Sequence, residues 1–349
     1  MSKYNQNILE TVGQTPMVQL HSLSGKSKHN FFAKLESFNP GGSIKDRVAI
    51  AMIEEAEKRG DLKPGGTIVE ATSGNTGVGL ALVGAVKGYK CIFTMPEKMS
   101  DEKRAILRAY GACVIITPNG VEPEDPMSHY SVAKKIAAAT PGAFLANQYH
   151  NPDNPERHYK STGREIWNQM DGKIDMLVGG AGTGGTLSGC AKYLKEKNQK
   201  VQIICADPIG SILYDLYYHK KIVDPPGSYK VEGVGEDMLP DNVHLSIYDG
   251  FVKVSDQEAF DITRELVAKE GLLVGPSSGL ALVGAIKAAE KIEKVSNIVV
   301  IFPDSGRAYL SKAFNDQWMI DNGLVKADDV KHAFNRVITA EQALSELKK

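Results

Sequence analysis

Short runs rich in Val, Ile and Phe recur along the chain, and they restrict its fold more than any other feature. They read NFFAKLE (30–36), GTIVEA (66–71), KCIFTM (90–95), CVIITP (113–118), IDMLVG (174–179), VQIICA (201–206), GFVKV (250–254) and NIVVIF (297–302). Several are bounded by Gly or Pro and are apolar throughout, which predicts strands buried on both faces, as in a parallel sheet. Helix candidates lie between them: SIKDRVAIAMIEEAEKRG, NTGVGLALVGAVKG, MSDEKRAILRAYG, CAKYLKEK, DQEAFDITRELVAKEG and SGLALVGAIKAAEKI. Several stop on Gly, a usual C-terminal signal. Strand–helix alternation of this kind predicts an α/β fold with right-handed crossovers.

The turn-rich QYHNPDNP (148–155) predicts a break, and DPPGSY (224–229) predicts a loop at a surface rim. After Leu324 the strand–helix rhythm gives way to a charged, helical tail, and no internal repeat is present. The 349 residues suffice for about two domains.

The formal net charge is −1 with lysines and acids interspersed, so no basic stripe argues for nucleic acid. The N-terminus, MSKYNQNILETVG, lacks the long apolar core of a signal peptide. No segment reaches membrane-spanning length. A cytoplasmic location follows as the expectation. Four cysteines, Cys91, Cys113, Cys190 and Cys205, occupy apolar or helical settings without a C-x-x-C pair. Buried, reduced thiols are expected rather than disulfides. The eight histidines show no ligand spacing, so no metal site is expected.

Much of the glycine, 34 residues in all, clusters in short loops. VGGAGTGGTLSG (178–189) follows one strand candidate and opens a helix. Its Gly180, Gly182 and Gly185 fit the dinucleotide pattern G-x-G-x-x-G, and Asp207 stands after the next strand, where a ribose-binding acid would be wanted. The same loop, Gly182-Thr183-Gly184-Gly185-Thr186, equally suits a single phosphate wrapped by backbone N–H groups.

Four more loops look built for ligands. In SFNPGGSIKDR (37–47), Lys45 starts a helix, where the dipole disfavours a charged amine. That suits an amine that must be neutral to attack a carbonyl, though a surface lysine fits the same position. In EATSGNTGVGLA (70–81), Thr72, Ser73, Asn75 and Thr76 surround Gly74. One of them caps the helix, and four together make an anion site of hydroxyls and N–H groups. LLVGPSSGLAL (272–282) and FPDSGRAYL (302–310) fit either capping or ligand contact. An NAD reading uses one of the five loops. A phosphate, an aldehyde-bearing ring and a carboxylate use most of them.

NPGGSIKDR, TSGNTG, GTGGT, GPSSG and PDSGRAYL, in this order, resemble the fold-type II pyridoxal-phosphate enzymes. That family includes O-acetylserine sulfhydrylase (cysteine synthase) and the catalytic core of cystathionine β-synthase. The likeness runs from about Ile8 to about Leu324, and MPEKMSDEKRAILRAYGA, EGLLVGPSSG and DQWMIDNG lean toward the cystathionine enzymes. Those enzymes usually carry Tyr-Asp in the stretch that reads EGVGEDMLP here, and the sulfhydrylases Ala-Gly; this chain has Glu236-Asp237. The resemblance does not extend to the haem-binding segment or the paired regulatory domains of the animal enzyme, so haem dependence and adenosylmethionine activation are not expected.

The resemblance implies two open parallel-sheet α/β domains with pyridoxal 5'-phosphate in the cleft between them. Residues 41–150 would form a small substrate-binding domain and 151–324 a large cofactor-binding domain. Residues 1–40 would pack mainly on the large domain, and 325–349 would form a tail. Lys45 becomes the Schiff-base lysine and the acid/base at the substrate α-carbon. Gly182, Thr183, Gly184, Gly185 and Thr186 cradle the phosphate, Asn75 meets the ring hydroxyl oxygen and Ser277 faces the pyridine nitrogen. Thr72, Ser73, Thr76 and Gln148 hold the substrate carboxylate. A serine hydroxyl does not hold the ring nitrogen protonated, which favours expulsion of a β-substituent over racemisation or transamination. The reaction implied joins L-serine and L-homocysteine into L-cystathionine through an aminoacrylate, in a homodimer. Cysteine synthesis from O-acetylserine and sulfide, or release of hydrogen sulfide from cysteine, is the alternative. Glu232, Glu236 and Asp237 share one Gly-spaced loop, and Glu236 is the candidate to meet a homocysteine ammonium, with a solvated acidic turn as the other reading.

Overall fold

The computed structural model describes residues 4–22, 27–72, 74–97, 99, 101–122, 124–326 and 339–340. The strands are Met17–Gln19 (β1), Asn30–Leu35 (β2), Thr67–Ala71 (β3), Lys90–Pro96 (β4), Cys113–Thr117 (β5), Ala143–Leu145 (β6), Met176–Gly180 (β7), Gln202–Pro208 (β8), Gly250–Val254 (β9) and Asn297–Phe302 (β10). The helices are Lys45–Arg59 (α1), Asn75–Lys87 (α2), Asp101–Ala109 (α3), His129–Ala139 (α4), Asp153–Lys160 (α5), Thr162–Gln169 (α6), Gly185–Lys197 (α7), Leu213–His219 (α8), Asp256–Glu265 (α9), Pro276–Ala289 (α10) and Asp316–Asp321 (α11).

Two sheets form. One runs β1-β2-β10-β7-β8-β9 and the other β5-β4-β3-β6. Every pairing is parallel except β1 with β2. The apolar runs explain this: successive side chains of one strand feed two cores. Leu177, Ile203, Val299 and Ile301 face one side, with Leu187, Cys190 and Leu194 of α7. Met176, Val178, Ile298, Val300 and Phe302 face the other, with Ala281, Leu282 and Ala285 of α10. The four-stranded sheet is covered by α1 and α2 on one face, where Val48, Met52, Ile53, Leu80 and Val83 meet Ile68 and Phe93. Its other face carries Val69, Ala71 and Ala133, with Ala133 coming from α4. Both α1 and α2 end at a left-handed glycine, Gly60 with φ 81° and Gly88 with φ 78°.

Both sheets lie within one compact unit that ends at Ala308; α11 belongs to a separate unit beginning at Tyr309. The expected tail, 325–349, falls mostly outside the described residues. Two local expectations are corrected. The break over 148–155 is only half loop, because α5 already starts at Asp153. Proline is tolerated before and within a first helical turn, which needs no amide donors, so Pro152 and Pro155 do not stop the helix. Cys113 is exposed, whereas the other three thiols are buried and free. Its strand, β5, is a sheet edge and is not covered on both faces.

Candidate active site

Loops of this compact unit gather at strand ends, where an α/β sheet places its ligands. The loop after β2 leads to Lys45, that after β3 to Asn75, that after β7 to Gly185, and β10 runs into Asp304. The first and last of these, and the turn before α10, are stitched together. Ile44 N donates to Pro303 O at 2.8 Å, Ser305 N to Gly42 O at 3.2 Å, and Gly275 N to Asp304 O at 3.3 Å.

Lys45 is the first residue of α1 and stays partly exposed. Its surroundings press the amine below its ordinary value through loss of hydration, while Asp304 and Glu236 attract the charged form. Behind it the chain is locked by charge. Arg47 Nε and Nη2 reach the Glu36 carboxylate at 2.6 and 2.9 Å. Its Nη1 and Nη2 reach Glu165 at 2.6 and 2.7 Å. Lys34 Nζ completes the cluster on Glu165 at 2.8 Å. These forks hold Glu165 low, at about 2, in spite of its burial. In front of Lys45, Asp46 accepts from Gly41 N at 2.6 Å. A Cβ on Gly41 would stand 2.4 Å from Asp46 Oδ1, so only glycine allows the approach.

The TSGNTG loop is a capped helix start. Thr72 Oγ1 accepts from Gly74 N at 3.3 Å and from Gly77 N at 3.2 Å. Thr76 Oγ1 donates to Gln148 Oε1 at 2.6 Å. Gln148 is held in turn by Glu70, whose carboxyl accepts from Asn147 N at 2.6 Å and Gln148 N at 3.3 Å. Thr76 and Gln148 are thus joined side chain to side chain, and Thr72 holds the turn that leads into α2. Asn75 Nδ2 donates to Asp304 Oδ2 at 2.7 Å. Ser73 lies outside the described residues.

The glycine loop is shaped from two sides. Asn154 of α5 donates to Thr183 Oγ1 at 2.9 Å, and Thr186 Oγ1 lies 3.2 Å from His158 Nε2. Burial and the nearby Arg47 and Lys45 hold His158 neutral, well below its usual range. Gly235 N donates to Ala181 O at 2.8 Å, which lays the acidic loop against the cradle. A helix's first amides have no acceptor within the helix, and among the described residues no side chain caps α7. Its N-cap, Gly184, has φ 80°.

Glu236 stands in that acidic loop, and burial together with Asp237 pushes its carboxyl up to about 8. Glu232 pairs with Lys103 of α3, and Asp237 is exposed. Ser277, 3 % exposed, sits in the first turn of α10. Asp207 is turned elsewhere: its Oδ2 accepts from Tyr214 N at 2.9 Å in the first turn of α8. That cap leaves the dinucleotide pattern without its ribose partner. Among the described residues no group of three or more metal-ligating side chains occurs.

Sequence reasoning missed Asp304, Asn154, Glu70 and the Arg47 cluster. Asp304 and Arg47 stood inside quoted motifs, but their partners are distant in sequence. The residues fit a phosphate-bearing aldehyde. Uncapped helix amides and a glycine cradle suit the phosphate, a depressed amine suits the aldehyde, and the small hydroxyl of Ser277 suits a ring edge.

Comparison with known proteins agrees. The chain is 46% identical over 327 residues to a cystathionine β-synthase of Apis mellifera, with 93% of this chain and 64% of that protein covered. The chain thus spans under two thirds of that relative's length. A cysteine synthase of Staphylococcus aureus is 42% identical over 306 residues, 87% of this chain and 95% of its own. The crystal structure of an O-acetylserine dependent cystathionine β-synthase from Helicobacter pylori matches with TM-score 0.81 and 38% identity, covering 89% of this chain and 99% of that one. Residues 8–304 match the sequence model described as "Pyridoxal-phosphate dependent enzyme", and the chain belongs to that family.

Proposed function

We propose that this chain joins L-serine and L-homocysteine into L-cystathionine and releases water. The observation that carries the reading is the Glu236 carboxyl, whose Oε1 would lie 3.7 Å from a Cβ on Gly182 of the glycine loop, in a chain 46% identical to a cystathionine β-synthase. Sulfide has no head group for such an acid to meet, and homocysteine has an ammonium.

Each group then has a task. The amides of Gly182 to Thr186, with the Thr183 and Thr186 hydroxyls, hold the phosphate of pyridoxal phosphate. Lys45 anchors the aldehyde carbon, and Asn75 and Ser277 contact the ring oxygen and nitrogen. Bound there, the cofactor supplies a sink for the electron pair left when the α-proton departs. Lys45 takes that proton and returns it at the end. Thr72, Ser73, Thr76 and Gln148 orient the substrate carboxylate so that the α-hydrogen faces Lys45. The β-hydroxyl of serine would leave with a proton as water, and the homocysteine sulfur would add at the same carbon as its S–H bond breaks, the thiol proton replacing the one that left with the water.

The four-stranded sheet, with residues 41–150, is read as the substrate-binding domain, and residues 151–324 as the cofactor-binding domain. The first 40 residues are read with the latter, since β1 and β2 extend the six-stranded sheet. The proposal extends to a cytoplasmic homodimer; Phe38, 65 % exposed beside the Lys45 loop, is the kind of apolar surface a second copy would cover. Light scattering of the purified protein tests the dimer, and fractionation of the source cells tests the location.

The match to a cysteine synthase over 95% of that protein's length supports a second reading, O-acetylserine with sulfide. Purified, cofactor-loaded protein should be assayed on both substrate pairs, with products identified by mass spectrometry. Cystathionine as the faster product is expected; cysteine alone would overturn the first reading in favour of the second.

A further inference from the structure

Asp304 lies where the loops of the site meet. Its backbone forms an isolated antiparallel bridge with Ser43, two residues before Lys45. Its carbonyl accepts from Gly275 N at 3.3 Å, two residues before Ser277. Its carboxylate accepts from Asn75 Nδ2 at 2.7 Å. A single residue in the turn after β10, a strand of the six-stranded sheet, thus grips the first residue of α2, which packs on the other sheet. Asp304 is 3 % exposed, so this grip is formed out of water, where a charged acceptor counts for more.

The chemistry of the pair is directional. A carboxylate only accepts, whereas a carboxamide has a donor end and an acceptor end. Asp304 therefore selects which end of the Asn75 side chain turns toward it. The amide cannot flip without setting its oxygen against a carboxylate oxygen. The same carboxylate is the largest attraction felt by the Lys45 amine.

We propose that Asp304 is a positioning residue: it aims the Asn75 carboxamide at the cofactor ring and supplies the counter-charge for Lys45. The inference rests on the reading that Lys45 and Asn75 hold pyridoxal phosphate. It adds the reason both are pre-set, one carboxylate serving two ligands of the same ring.

The titratable groups around Lys45 are Asp304 from the turn after β10, Glu236 from the acidic loop and its sequence neighbour Asp46, the last two with carboxyls lifted by burial. His158 of α5 also faces it and is held neutral. Removing Asp304's charge takes away the largest attraction among them, so a proton at Lys45 Nζ leaves at lower pH. Asp304→Asn keeps the shape, loses the charge and lets the Asn75 amide face either way.

The test uses cofactor-loaded protein and its visible absorption between pH 6 and 10. In Asp304→Asn the midpoint of the band's pH titration should fall by roughly one unit. Asn75→Ala should shift the position of the band, and adding it to Asp304→Asn should shift that position no further. A titration and band like those of the wild type, with only thermal stability lowered, would overturn the proposal. So would fully additive band shifts. Should Asp304→Asn not fold, Asp304→Ser removes the same charge in less volume and is read in the same way. Wild-type protein that takes up no pyridoxal phosphate overturns the cofactor reading itself, and this inference with it. Wild-type protein with a normal band and an unresponsive Asp304→Asn overturns the inference alone.

Discussion

Asn154 Nδ2 donates to Thr183 Oγ1 at 2.9 Å, and the same amide reaches Gln148 O at 3.0 Å. One side chain of α5 therefore ties the proposed phosphate loop to the proposed carboxylate site. The space beside it is closed: a Cβ on Gly185 would stand 2.0 Å from Asn154 Oδ1. Gly185→Ala must push Asn154 away and distort the first turn of α7. Cofactor affinity should fall at least about tenfold, the loss of one charge-assisted hydrogen bond. Asn154→Ala in the same chain should restore part of it. Fluorescence titration with pyridoxal phosphate reads both, and unchanged affinity in Gly185→Ala would move the phosphate elsewhere.

Lys45→Ala should abolish turnover and the visible absorption of the bound cofactor while leaving the fold intact. The amine sits in a setting that disfavours its charge, so removing it relieves rather than creates an unmet burial cost. Circular dichroism and thermal midpoint should match those of the wild type. Near wild-type turnover in the variant would end the assignment of Lys45 as the anchor.

Arg47, two residues on, carries the opposite prediction. It is fully buried between Glu36 and Glu165. Arg47→Met takes the cation off Glu36 and leaves Glu165 with Lys34 alone. Breaking such a cluster typically costs about 3–5 kcal/mol. Arg47→Lys keeps the charge but not the fork, and should fall between the two. Urea denaturation checks the order. Equal stability of Arg47→Met and wild type would show that the cluster is not what fixes the start of α1.

These three cases also show what a sequence exposes. The central strands were legible because two-sided burial demands unbroken Val and Ile. The strands β1 and β6, three residues each, are too short to carry a pattern. The helix α5 was hidden by Pro152 and Pro155, which read as breakers although a first turn admits them. Lys45 was legible because NPGGS and a helix start flank it. The partners of Arg47 were not, because Glu165 lies 118 residues away and only the fold joins them. Asp304 likewise became meaningful through Asn75, 229 residues apart in the chain. Local chemistry is written locally; pairings that depend on which strands are neighbours are not.

The contribution of two buried acids to stability should fall as pH rises from about 5 to about 9. Burial lifts Glu70 from 4.5 to about 8 and Asp46 from 3.8 to about 7. Each folded value lies above the unfolded one. The unfolded chain thus gives up these protons first, and the stabilisation present below pH 4 is lost through 7 to 8. Glu165 runs the other way, but its window lies between about 2 and 4.5. Each raised group contributes at most about 1.4 kcal/mol per pH unit. Glu70→Gln resembles the neutral acid at every pH, so its deficit relative to wild type should shrink as pH rises. Denaturant unfolding at pH 6 and pH 9 measures this; a deficit that stays the same at both values would mean Glu70 is already ionised in the fold.

The last prediction concerns the thiol substrate. Homocysteine brings its own ammonium and carboxylate, and its site needs groups to meet them. Three acids share the loop from 232 to 237, but the structure separates them. Glu232 is paired with Lys103, Asp237 is exposed, and Glu236 is drawn toward Lys45 and the cradle. A Cβ on Gly182 would lie 3.7 Å from Glu236 Oε1, which sets the carboxyl beside the proposed phosphate loop. Its carboxyl, lifted to about 8, is poorly hydrated and would gain from an arriving ammonium. Pairing in a half-dry cleft is worth more than the same pair in water. On this reading Glu236→Ala raises the homocysteine KM about tenfold or more and leaves the half-reaction with serine nearly unchanged. Stopped-flow spectra with serine alone and steady-state assays with both substrates separate the two effects. A lost half-reaction would place Glu236 at the serine site, and no change in either would make the loop structural.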